Sequence, residues 1–207
     1  MATPKRDALA EAIAAKSNGT LTLTEVNNGW PAIGYVTVDG TKIPVNAYVG
    51  AIGESHRKRD DERRFQNPGQ GKRLSAPQGG IALLLGTVPE APDQKDPVVV
   101  AMDAYRRLGL LTRFSMFMPV SVLEDADKGK FVEHTTTSAE EIFAFKASRL
   151  EDYLAKVVDV GSMVQAGPRE ATDQDEAHLE GSISYSTKSR NVLGVRASEL
   201  QGLVRDR

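Results

Sequence analysis

There is no cysteine among the 207 residues. That excludes disulfides and any metal site built on thiolates. The three histidines, His56, His134 and His178, stand far apart, with neither metal-ligand spacing nor a partner pattern for nucleophilic catalysis. No apolar run approaches the ~18 residues of a membrane-spanning helix. The first residues, M-A-T-P-K-R-D-A-L-A-E-A, lack the apolar stretch of a secretory signal, so a cytoplasmic location is expected. A nucleotide-binding glycine loop is also missing: Gly79-Gly80 precedes an apolar run, whereas a phosphate loop follows a strand. There is no internal repeat. With a net charge of −2 the chain is not a wholly basic, histone-like binder. What it does have is 40% hydrophobic and 26% charged residues, the balance of an ordinary globular domain with a real core.

The one concentrated departure from an average surface lies between residues 57 and 73. Arg57, Lys58, Arg59, Arg63, Arg64, Lys72 and Arg73 face only three acids there, Asp60, Asp61 and Glu62. The local charge is +4, so the rest of the chain carries −6. A basic island in an acidic chain marks where a polyanion would sit. On a short strand, Glu62, Arg64 and Gln66 share one face, and Arg63 and Phe65 the other. Arginine and glutamine are types that pair with base edges and phosphates. A solvated loop, in which the three acids neutralise their neighbours, is the alternative.

Around this stretch the pattern predicts mainly short strands. Thr3 and Pro4 start a helix with Leu9, Ala12, Ile13 and Lys16 at helical spacing, and Ser17-Asn18-Gly19 ends it. Strands are expected over 21–26, 33–38 and 43–49, with a turn at Asn27-Asn28-Gly29 and a two-residue hairpin at Asp39-Gly40. Pro44 suggests a sheet edge or a bulge. Residues 81–85 and 98–102 are continuous apolar runs, read as buried strands, the first closed by Gly86. Further strands are expected over 113–118, 130–134 and 141–145. Ser121 with Glu124, and Ser148 with Glu151, have capping-box spacing. The first helix stops at Gly129. The second carries Leu150, Tyr153, Leu154, Val157 and Val158 as one apolar stripe. After residue 158 the chain turns polar and acidic, reading as a linker with a short strand over 183–186 and a last short helix over 198–205. The expected fold is α+β: a mixed, mostly antiparallel sheet core with a few peripheral helices over 1–158, then a polar linker and short appendage over 159–207.

Two nuclease centres are conceivable. Asp96 or Asp103 with Glu141 and Lys146 supply acids and a lysine for a magnesium site, but without compact acid–x–lysine spacing. Gly34-Tyr35-Val36 and Tyr48-Val49-Gly50, with eleven residues between them, resemble the hairpin nucleases named for their G-I-Y and Y-I-G strands. Arg57 or Arg64 would complete that analogy. The first tyrosine, however, is second in its triplet rather than third, which in a strand turns it to the opposite face.

The order of the pieces resembles a larger family. It is similar to the N-terminal, DNA-recognition-like domain of bacterial restriction–modification proteins, which often precedes a nuclease module. That domain has a hairpin, an R-x-D-E-x-R-x-Q segment, a T-L-L-L-G strand, a D-V-F-V-A-F-D strand, a polar strand and an A-F-R-P-E-x-L-x-x-Y-L helix. Here stand Arg59-Asp60-Asp61-Glu62-Arg63-Arg64-Phe65-Gln66, then Ile81-Ala82-Leu83-Leu84-Leu85-Gly86, then Val98-Val99-Val100-Ala101-Met102-Asp103. Phe114-Ser115-Met116-Phe117-Met118 follows, and the last element is Phe143-Ala144-Phe145-Lys146-Ala147-Ser148-Arg149-Leu150-Glu151-Asp152-Tyr153-Leu154. The similarity spans about residues 33–157.

The resemblance implies DNA recognition within a restriction or defence system. The zinc-binding cysteines of the nuclease that commonly follows have no counterpart here. The expectation is therefore a double-stranded DNA binder acting through Arg57, Lys58, Arg59, Arg63, Arg64, Gln66, Lys72 and Arg73. It needs no metal or cofactor and works with a second copy of itself or with a separate nuclease or methyltransferase subunit. One alternative is a small magnesium-dependent restriction-type endonuclease. The other is a non-enzymatic phage or bacterial interaction protein whose basic loop meets an acidic partner.

Overall fold

A computed structural model of the chain describes residues 5–26, 30–55, 61–68, 73–110 and 113–158. Nine strands and three α-helices follow in the order α1 (Arg6–Lys16), β1 (Leu21–Glu25), β2 (Ala32–Val38), β3 (Thr41–Glu54), β4 (Glu62–Gln66), β5 (Ile81–Thr87), β6 (Val98–Met102), β7 (Ser115–Pro119), α2 (Val120–Asp127), β8 (Val132–Thr135), β9 (Glu141–Lys146) and α3 (Leu150–Val157). Seven strands make the main sheet in the order β1-β2-β3-β5-β6-β9-β8. Among the described strands of this sheet only β3 and β5 pair in parallel; the others pair antiparallel. The α+β class and the mostly antiparallel mixed sheet are as expected.

β3 is the hinge of the architecture. It is 14 residues long. Its first part pairs with β2, its middle with β5, and its last residues, Ile52 to Glu54, with β4. β4 in turn pairs with β7. A second, three-stranded sheet, β3-β4-β7, thus grows from the end of a strand of the first. Asp39 and Gly40 both have positive φ (49° and 75°), the backbone a two-residue hairpin turn requires. Pro44 lies just before β5 joins at Val45, so it stands outside the β3–β5 ladder.

The strands in the middle are buried on both faces, so their sequences read as apolar runs. On one face Val45, Val49, Leu83, Leu85, Val99 and Phe145 pack against Leu9 and Ile13 of α1 and Leu150, Tyr153 and Leu154 of α3. On the other, Tyr48, Ile52, Leu84, Val100 and Met102 pack against Trp30, Phe65, Met116, Met118 and Val122. The second sheet and α2 therefore cover one face while α1 and α3 cover the other.

Phe65 sets how closely the two sheets meet. Gly50 and Gly86 are direct partners across β3 and β5. A Cβ on Gly50 would lie 2.7 Å from the Phe65 ring, and one on Gly86 would lie 2.8 Å from Ile52 and 3.1 Å from Phe65. The ring rests on this bare pair. Gly86 accordingly lies inside β5, which runs on to Thr87, rather than closing it.

Both expected capping boxes fail. The residue before α2 is Pro119 and that before α3 is Arg149, and neither makes a side-chain cap bond. Ser148 is instead taken by Asp96: its N–H and Oγ–H donate to Oδ1 and Oδ2 at 3.0 and 2.6 Å. A 3₁₀ turn over Ala147–Arg149 leads into α3. Gly129 does end α2, at φ 89°. The Thr3-Pro4 start, the Asn27–Gly29 turn, the 183–186 strand, the 198–205 helix and the whole 159–207 appendage lie outside the described residues. No helix among the described residues is long and apolar enough to cross a membrane.

Candidate nucleic-acid interface

Arg57, Lys58, Arg59 and Lys72 lie outside the described residues. Arg63, Arg64, Gln66 and Arg73 are placed. β4 forms where the basic stretch predicted a strand, and it alternates as expected. Phe65 is fully buried, so Glu62, Arg64 and Gln66 project from the opposite, outer face of the small sheet. Arg64 pairs in register with Gly53 on β3 and Phe117 on β7, and Gln66 with Ser115. Directly opposite residues share a face. The outer face thus carries Glu62, Arg64, Gln66, Ser115 and Phe117, all half-exposed. Beside Arg64, a Cβ at Gly53 would meet nothing within 4 Å, so that flank is open.

Arg63 is on the Phe65 side of β4, in register with Glu54 and Met118, and its guanidinium donates to the Glu62 carbonyl at 3.2 Å. Arg73 is exposed at the far end of the stretch, just before Leu74, which is buried and bridges to Leu108. The structure therefore brings Arg64 and Gln66 together and sends Arg63 to another face.

Asn67, Phe114, Arg107 and Glu140 hold this face, and none of them stood out in the sequence as doing so. Asn67, expected in a loop, is buried and extends the β4–β7 ladder by one rung. Its Oδ1 accepts the Phe114 N–H at 3.0 Å, and its own N–H donates to the Phe114 carbonyl at 3.3 Å. The Phe114 ring lies between Phe65, with centroids 6.2 Å apart, and the Arg107 guanidinium, 4.8 Å from its centroid. Arg107 forks onto both oxygens of Glu140 at 2.5 Å. Both partners are almost wholly buried. The signal available for Asn67 was slight: an asparagine followed by proline at the end of an alternating run.

The residues of the two nuclease readings are placed as follows. Asp103 Oδ1 accepts the N–H groups of Tyr105 (2.9 Å) and Arg106 (3.4 Å), capping a 3₁₀ turn. Asp96 holds Ser148, and Lys146 pairs with Asp127 at 2.6 Å. In the β6–β9 register Met102 faces Ile142 and Val98 faces Lys146. Asp103 and Glu141 are thus at one end of the strand pair, and Asp96 and Lys146 at the other. Burial raises the Glu141 carboxyl above the usual glutamate range, the Glu133 charge adds to this, and Lys156 opposes it. Among the described residues no three histidines or acids group to hold a metal. Tyr48 is fully buried, and its hydroxyl accepts the Ser75 N–H at 2.8 Å. Tyr35 lies on the exposed part of β2, where hydrogen bonds from Thr22 and then Lys42 lower its phenol below the usual range. The hairpin tyrosines thus have separate surroundings, one core and one surface.

No curated protein and no solved structure matches this chain. The pattern of the methylase-associated X1 family matches residues 43–154. That range runs from β3 to the middle of α3, contains both sheets' shared strand, β4 and the Phe114–Arg107–Glu140 contacts, and falls within the 33–157 that carry the likeness to restriction–modification proteins. It covers more than half of the chain, which therefore belongs to the methylase-associated X1 family.

Proposed function

We propose that this chain is the DNA-recognition component of a restriction–modification system and binds duplex DNA through residues 57–73. Arg57, Lys58, Arg59, Arg63, Lys72 and Arg73 contact phosphates. Arg64 and Gln66 read bases from the outer face of β3-β4-β7. The observation that carries this reading is the placement of Arg64 and Gln66 on one half-exposed strand face with Phe65 locked beneath them. The major groove admits a two-stranded antiparallel ribbon, and arginine and glutamine match guanine and adenine edges there. β4 and β7 form such an antiparallel pair, flanked on its other side by the last residues of β3. The family's association with methylases supports a methyltransferase as the working partner, since a base-modifying enzyme needs an address on the duplex.

The test is duplex binding across a salt series. If four to six cations engage, the log–log salt slope is about −4 to −5. Gln66→Ala leaves the slope intact and lowers discrimination between sites by ~1–3 kcal/mol. Gly53→Glu sets a carboxylate beside Arg64 in open space, so it folds and loses binding. A slope near zero returns the stretch to a solvated loop. Magnesium-dependent nicking in the same tubes, abolished by Asp103→Asn, would put the endonuclease reading first.

A further inference from the structure

The outer face of β4 is held by contacts that start far from it. Glu140 follows a turn in which Ala139 has φ 56°, a left-handed backbone that alanine adopts only under constraint. The constraint is visible. The Thr136 N–H donates to the Glu140 carbonyl at 2.8 Å, the Ala139 N–H to the Thr136 carbonyl at 2.9 Å, and the Glu140 N–H to Thr136 Oγ1 at 3.1 Å. The Glu140 carboxylate receives the Arg107 fork, and Arg107 also donates to the Asp103 carbonyl at 2.9 Å. The guanidinium covers Phe114, and Phe114 is bonded twice to Asn67, the residue after Gln66.

A buried ion pair is a poor device for stability alone, because apolar replacements of similar volume often do as well. Here the desolvated pair and the strained turn converge on one target, the rung that ends the β4–β7 ladder. We infer that Glu140, Arg107 and Asn67 are positioning residues for base readout. Through Phe114 they set the height and tilt of Arg64 and Gln66 on the outer face, without touching DNA themselves. The inference rests on the DNA-binding reading above and deepens it.

The full chain and the variants Glu140→Gln and Asn67→Ala are compared in three measurements. These are amide hydrogen exchange of β4 and β7 without DNA, the salt slope on a duplex pool of randomised sequence, and the enrichment of the dominant motif selected from that pool. Expected in both variants is faster exchange across β4 and β7, an unchanged salt slope, and motif enrichment lower by roughly tenfold. A purely structural role would lower the melting temperature and leave enrichment alone, which overturns the inference. If Glu140→Gln does not fold, Asn67→Ala, which keeps the ion pair, decides it. A wild-type chain that shows no salt slope overturns the DNA reading and this inference together. A wild-type chain that binds and selects, with variants that match it in exchange and enrichment, overturns this inference alone.

Discussion

Arg107 and Glu140 are the most heavily desolvated charges in the described part of the molecule, at 8% and 6% exposure. Removing one partner strands the other in the core. Glu140→Ala is expected to cost ~3–5 kcal/mol in urea melts, while the double replacement Arg107→Met with Glu140→Leu stays far closer to wild type. Neither residue stands out in the sequence. They are 33 positions apart, and only the β6–β9 register brings their loops together. Glu141, the next residue, is a separate case. Its carboxyl is raised in the folded state, so the folded chain holds a proton that the unfolded chain releases. Stability then falls as pH rises from the ordinary glutamate value through the raised one. Glu141→Gln is expected to raise the melting temperature at neutral pH and to change nothing below about pH 4, where both states are protonated. An equal shift at both values would show that burial and the Glu133 charge do not hold the proton there. Arg64 and Gln66, by contrast, were legible from alternation alone, because one buried phenylalanine fixes which way a strand faces.

At the level of elements, the bare Gly50–Gly86 pair under Phe65 is what lets the second sheet lie close to the first. Gly50→Ala or Gly86→Ala is expected to destabilise by ~1–3 kcal/mol. Both should also loosen β4, read as faster amide exchange at Phe65 and Gln66. Exchange left at the wild-type rate would show that the ring moves aside freely. Most strands were readable because burial on two faces makes continuous apolar runs, as in β5 and β6, and burial on one face makes alternation, as in β7. The cap signal before α3 misled because its serine had other work. Ser148 is bound by Asp96 from the loop before β6, a partner that no local spacing reveals. Gly86 misled for a related reason: a glycine in an apolar run looks like punctuation until the ring above it is known.

For the whole molecule, the two buried clusters among the described residues run from Leu9 to Val158. A chain ending after Val158 is expected to melt within a few degrees of the full-length protein by circular dichroism. A loss of cooperative melting would place part of 159–207 in the fold. The class of fold was legible in the sequence, but the division into two sheets was not, since nothing local says that β3 leaves one sheet for the other. That shared strand also orders how the chain assembles. The β2–β3 hairpin closes over two residues, and β4 pairs back onto β3 soon after. β7 arrives only after β5 and β6 have been made, and the cost of closing a chain segment grows with its length. During synthesis β4 is therefore an open edge waiting for its last neighbour, and open edges invite pairing with other chains. Glu62, Arg63 and Arg64 lie along that edge. Charge on an open edge opposes such pairing, so these three side chains would keep newly made chains apart until β7 closes the edge.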